Sequence, residues 1–168
     1  MNFEQVKNEF IDTWAQLGPR WGINKTMAQI HALLLTTSSP LTTDDIMEEL
    51  QISRGNVNMN VRDLMDWGLV QKSFQRGSRK EYFSAIKEMP EIARCIMIQR
   101  RKKELEPLLQ FTSKWKDQDF WEDESEETGD FKQTISDIHR FAEQSYELSE
   151  KLLNAEEYWL VKTLKKWL

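Results

Sequence analysis

The sequence predicts a mainly α-helical protein with a small β-hairpin wing: a winged helix-turn-helix domain plus a helical dimerisation region. Three observations predict it. Residues 43–66 carry two short helical patterns joined by a tight turn. Two runs of strand character, 69–75 and 80–85, follow at once and are joined by Arg76-Gly77-Ser78-Arg79. Further on, Phe131, Ile135, Ile138, Ala142, Ser145, Leu148 and Leu152 recur at close to the 3.5-residue spacing of a helix that packs along another helix. The expected divisions are 1–23, an N-terminal helix and connector packing on the dimerisation region; 24–88, the winged domain; and 89–168, the helical dimerisation region with an acidic connector at 117–130.

In chain order, Phe3, Val6, Phe10, Trp14 and Leu17 recur every three or four residues and predict an amphipathic helix over 2–17, ended by Gly18-Pro19. Arg20-Trp21-Gly22 connects it to a helix from Lys25 to Thr37, capped by Asn24, with Met27, Ile30, Leu33 and Leu34 inward. His31 lies beside that stripe as a packing or partly exposed histidine. No carboxylate, cysteine or second histidine is spaced to complete a metal site with it. After the Ser38-Ser39-Pro40 break, Thr43 is placed as the cap of a short helix whose first turn holds Asp44 and Asp45, where negative charge suits the helix dipole. Ile46, Met47 and Leu50 form its apolar stripe. Ser53 caps the next helix, which runs to Trp67 and stops at Gly68.

That second helix carries the functional reading. At about 100° per residue, Val57, Val61 and Leu64 share a core-facing side. Gly55, Met59 and Arg62 then face outward, with Asn56 and Asn58 on the flanks and Arg54 at the start. Arg can bond both acceptors of guanine, Asn can pair with adenine, and Met can touch a thymine methyl. Gly55 would let a phosphate approach closely. Ser53, Arg54, Asn56, Asn58, Met59 and Arg62 are therefore the candidate groove contacts. The hairpin adds Arg76, Arg79 and Lys80 as candidate backbone or minor-groove contacts, with Phe74, Tyr82 and Phe83 expected to anchor its strands. A polar surface helix and a solvated charged turn are the alternatives for each segment taken alone.

With those residues in view, the chain resembles the MarR-type regulators, and more narrowly their GbsR-like branch. The resemblance rests on G-P-R-W-G-I-N-K-T-M-A-Q-I-H-A-L-L-L at 18–35, P-L-T-T-D-D-I-M-E-E-L at 40–50, S-R-G-N-V-N-M-N-V-R-D-L at 53–64, W-G-L-V at 67–70 and G-S-R-K-E-Y-F at 77–83. It implies a homodimeric transcriptional regulator, expected to repress from a palindromic operator on double-stranded DNA. Some members of the branch resemble sensors of choline or other osmolyte-related signals, so a small-molecule effector that releases the protein is a further expectation.

A net charge of −5 looks wrong for a DNA binder until it is divided. Residues 51–90 carry seven basic and four acidic groups, and 91–116 carry seven and three, whereas 117–168 carry six and fourteen. Positive charge is thus concentrated where the interface is expected, and binding responds to local potential. Arg100, Arg101, Lys102 and Lys103 form a basic run in a helix that begins near Pro90, carries Ile92, Ile96, Leu105, Leu108 and Leu109 inward and should be interrupted at Pro107. A last helix is expected around Tyr158, Trp159, Val161, Leu164, Trp167 and Leu168.

No run approaches the roughly 18 consecutive apolar residues of a membrane span. The N-terminus lacks a signal-peptide pattern, and Cys95 is the lone cysteine, read as an ordinary buried or half-buried thiol, so a cytoplasmic location is expected. Two histidines, one cysteine and no phosphate loop or nucleophile elbow leave no catalytic constellation; neither an enzyme nor a metal or cofactor is expected. Trp14, Trp21, Trp115, Phe120 and Trp121 are candidate walls of an effector cage suited to a quaternary ammonium ion, with ordinary core packing as the alternative for each. The competing functional reading is a winged helix used as a protein–protein interaction module.

Overall fold

The computed structural model describes residues 2–116 and 125–154. The chain divides into two compact units, Met1–Ile96 and Met97–Leu168.

In the first unit, helix α1 (Phe3–Leu17) starts on a reciprocal cap: the Asn2 side chain accepts from the Gln5 N–H, and the Gln5 side chain accepts from the Asn2 N–H. A 3₁₀ turn, Gly18–Trp21, leads to helix α2 (Lys25–Thr36), capped as expected by Asn24. The stripe of α1 departs from the expected one. Phe3 and Val6 are exposed, while Ile11 and Ala15 are buried. The departure is confined to the N-terminal turns, since Phe10 and Trp14 pack against the core as expected, and at the other end Gly18 comes so close to Ala28 that a Cβ there would stand 2.6 Å from the Ala28 Cβ.

Strand β1 (Leu41–Thr42) precedes helix α3 (Thr43–Leu50), and helix α4 (Arg54–Asp66) follows after Gln51 turns through a positive φ. The cap of α3 is Thr42, not Thr43. Thr42 accepts from the Asp45 N–H and Asp45 bonds back to the Thr42 N–H, a box that needs the acid three residues on. Ser53 caps α4 as expected, and Gly68 takes a left-handed φ of 76° just beyond it. Strands β2 (Val70–Phe74) and β3 (Glu81–Ala85) form the wing. The sheet has three strands rather than two, in the order β1-β3-β2, with Leu41 opposite Phe83 and Thr42 opposite Tyr82.

The core gathers Met27, Ile30, Leu33 and Leu34 of α2, Ile46 of α3, and Val57, Val61 and Leu64 of α4. Phe83 is buried in it, whereas Phe74 is 66% exposed and does not anchor β2. Phe74 pairs with Glu81 at the turn end of the wing and carries the Lys72 ammonium 5.4 Å from its ring centroid.

Helix α5 (Met89–Arg100) buries Ile92 and Cys95 in the same core; the Cys95 Sγ donates to the Gly68 carbonyl, and burial pushes its thiol up. A wider π turn, Arg101–Leu105, continues it into helix α6 (Glu106–Lys116). Pro107 explains the turn. It has no N–H for the Lys103 carbonyl and its ring crowds that carbonyl, so the helix widens and the Glu106 N–H reaches Arg101 O.

In the second unit, α6 packs on helix α7 (Glu126–Asn154) through Ile135, His139 and Ala142. His139 is buried between the Thr112 hydroxyl, 2.8 Å from Nδ1, and the Lys116 ammonium, 3.0 Å from Nε2. Of the acidic stretch expected as a connector, residues 126–130 form the first turns of α7, and 117–124 lie outside the described residues, as does the expected last helix. Among the described residues, no helix is long and apolar enough to cross a membrane.

Candidate nucleic-acid interface

Helix α4 is held by its buried side and by one polar pin. Val57, Val61 and Leu64 are buried, and between them Asn60 is fully buried as well. The Asn60 side chain accepts from Asn24 Nδ2 at 2.8 Å and donates to the Asn56 carbonyl at 2.8 Å, so both ends of its amide are satisfied. Asn24 in turn accepts from the Met27 N–H as the cap of α2. The start of one helix thereby fixes the rotation of the other. Asn60 is not among the residues expected from sequence to matter here, although its place three residues after Val57 and four before Leu64 puts it on the core side.

The outward side matches the sequence expectation in placement. Arg54, Asn56, Asn58, Met59 and Arg62 are all exposed, and Met59 keeps 54% of its surface open. A Cβ on Gly55 would meet nothing within 4 Å. The Ser53 Oγ accepts from the Asn56 N–H at 3.3 Å, so this hydroxyl serves first as the cap. Asn58 faces the Thr43 hydroxyl across 3.5 Å.

The wing turn is closed by the Ser78 N–H donating to Gln75 O, with Gly77 at a φ of 86° that a side chain would strain. Ser78 Oγ also accepts from the Lys80 N–H and stands 3.3 Å from the Tyr82 hydroxyl. Arg76 and Arg79 are exposed, and among the described residues neither they nor Arg62 make an ion pair. Arg54 and Lys80 differ. Both bond the carboxylate of Asp44, Lys80 at 3.0 Å. Lys80 first, then Arg54, holds the Asp44 carboxyl below the usual range, and Asp44 raises the Lys80 ammonium. From sequence, Asp44 is expected only to suit the helix dipole.

Of the candidate effector aromatics, Trp14 and Trp21 lie together in the first unit. Trp14 and Trp21 meet edge to face with centroids 4.8 Å apart, and Trp14 Nε1 donates to His31 Nδ1 at 3.3 Å. Burial lowers His31 to about 4. Trp115 belongs to the second unit, where the Lys114 ammonium lies 4.7 Å from its ring centroid; Phe120 and Trp121 lie outside the described residues. No group of three or more metal-ligating side chains occurs among the described residues.

Comparison with known proteins agrees with the geometry. Residues 21–81 match the sequence model of the MarR family. The chain is 32% identical over 85 residues to the HTH-type transcriptional repressor GbsR of Bacillus subtilis (strain 168), a match covering 51% of this chain and 47% of that protein. It is 24% identical over 80 residues to the putative HTH-type transcriptional regulator YvaV of the same organism, covering 48% and 45%. The chain spans about half the length of these relatives. The crystal structure of a transcriptional regulator superposes with a TM-score of 0.68 at 14% identity, covering 89% of this chain and 97% of that one, which is a likeness of fold. The matched segment, 21–81, runs from the end of the first connector through α2, α3 and α4 to the start of β3, so the likeness to the MarR family falls on the winged helix-turn-helix elements.

Proposed function

We propose that this chain is a cytoplasmic, sequence-specific repressor that binds a palindromic operator as a homodimer and is released by a small-molecule signal. The observation that carries the reading is the outward side of α4. It offers Arg62, Asn56, Asn58 and Met59 to solvent, beside wing guanidiniums from Arg76 and Arg79 that have no acidic partner among the described residues. Such groups match base edges and phosphates better than they match an ordinary solvated helix, which is coated with Glu and Lys. A repressor relative supports the sign of regulation.

The homodimer rests on α7. Its inward side is buried on α6, yet Phe131, Ile138, Phe141, Leu148 and Leu152 remain exposed on another. With Thr134 and Ser145 they fall at alternating steps of three and four, a heptad seam about 30 Å long. A second copy of the same helix is the partner such a seam fits, and a two-fold axis would set two reading helices one DNA turn apart, roughly 34 Å.

Fluorescence anisotropy on a labelled duplex from upstream of its own gene, against a scrambled duplex at several salt concentrations, tests the reading, with mass from light scattering. The expected result is tight binding to the upstream duplex alone by a particle of twice 20.0 kDa. No binding to either duplex at low salt would remove DNA from the proposal and favour a protein-interaction module.

A further inference from the structure

Asp44 lies in the first turn of α3, but its carboxylate serves other elements. Oδ1 accepts from Arg54 Nη2 at the first residue of α4, and Oδ2 accepts from Lys80 Nζ, at the turn end of the wing just before β3. One carboxylate thus engages two of the interface cations, from separate parts of the chain. The helix does not need it as a cap, because Asp45 completes the box with Thr42. Nor is it buried: its side chain is 46% exposed, against 59% for Arg54 and 60% for Lys80.

A carboxylate in this place acts unequally on the two ways a duplex can bind. Binding without sequence preference draws on cation–phosphate contacts and the counterions they release. Phosphates arriving at Arg54 or Lys80 must displace Asp44 or stand beside its charge. Base reading suffers less. Arg54 uses Nη2 toward Asp44, and its other N–H groups can meet the guanine acceptors while the carboxylate restricts the side chain to one direction.

We propose that Asp44 is a specificity-determining residue of the interface: by engaging Arg54 and Lys80 together, it suppresses binding to the DNA backbone alone. The inference rests on the DNA-binding reading above.

The test compares the intact chain with Asp44→Asn and Asp44→Glu on a random-sequence duplex across a salt series. It is repeated on the duplex most enriched from a randomised pool by the intact chain. Asp44→Asn is expected to bind the random duplex about tenfold more tightly and to steepen the slope of log affinity against log salt by about 1 to 2. The ratio of enriched to random affinity should fall, and Asp44→Glu should restore it. In an Arg54→Gln/Lys80→Gln background, Asp44→Asn should leave only the small gain of removing one negative charge, well short of tenfold, which a merely structural carboxylate would not predict. Equal random-duplex affinity and slope for the intact chain and Asp44→Asn would overturn the inference while leaving the DNA reading standing. Failure of the intact chain to bind any duplex would overturn both.

Discussion

Asn60 accepts a hydrogen bond from Asn24 across 2.8 Å, from the core side of the reading helix to the cap of α2. That contact joins the two helices whose relative rotation decides where Asn56, Asn58 and Arg62 point. Replacing Asn60 with Ala removes both bonds of a fully buried amide and leaves a small void. Stability should fall by about 1–3 kcal/mol, read from urea unfolding. Asn56→Ala, on the exposed side of the same helix, should change stability by less than about 0.5 kcal/mol while weakening DNA binding. Equal stability of the two variants would mean that the pin contributes nothing.

Gly55 separates folding from binding in the opposite sense. An added methyl meets no atom within 4 Å, so Gly55→Ala is sterically open to the fold and should gain up to about 1 kcal/mol of helix stability. If a DNA backbone approaches this bare patch, the same methyl should weaken binding. A higher melting temperature together with lower affinity is the expected pair of results, and unchanged affinity would show that DNA does not come close here.

His31 gives a pH signature. Burial lowers its imidazolium to about 4 from the ordinary 6.5, so between these values the unfolded chain holds a proton that the folded chain does not. Stability from this group is therefore full above pH 6.5 and is lost as pH falls toward 4, by up to about 3 kcal/mol in all. His31→Gln keeps an acceptor for Trp14 Nε1 and does not titrate. The difference in unfolding free energy between the two proteins should grow steadily over that window, and a constant difference would refute the assignment.

Arg62 and Arg79 should separate reading from gripping. Arg62→Ala should cost roughly 1–3 kcal/mol on the specific site and little on random DNA if the guanidinium bonds guanine. Arg79→Ala should weaken all sequences alike and lower the salt slope by about 1. Uniform loss from Arg62→Ala would make it a phosphate contact.

Local chemistry explains what the chain disclosed as sequence. Asn24 and Ser53 cap their helices through bonds to residues three along, and Gly68 ends α4 through its own backbone freedom. Such features depend on neighbours in sequence and were legible. The one-residue error at Thr42 arose because two threonines precede two aspartates, and only the three-residue spacing to Asp45 separates them. Features set by distant partners were not legible. Strand β1 is two residues long and exists because Phe83 and Tyr82 lie alongside it. The Asp44 bridge needs α4 and the wing already in place. Phe74 looked like an anchor by composition, but its register opposite Glu81 carries it outward.

The exposed seam of α7 yields the last prediction. Phe141 and Leu148 are seven residues apart, 68% and 60% exposed, and share one side of the helix. The inward side, with Ile135, His139 and Ala142, is built separately on α6. Introducing Glu at both positions places like charges opposite each other if two copies meet along the seam, and the cost falls on association rather than on the fold. Phe141→Glu with Leu148→Glu should therefore run at 20.0 kDa by light scattering instead of twice that, with its helical circular dichroism retained. Affinity for a palindromic site should drop far more than affinity for a half-site, because the two heads no longer bind as one particle. A variant that still runs at the double mass would move the dimer contact away from α7.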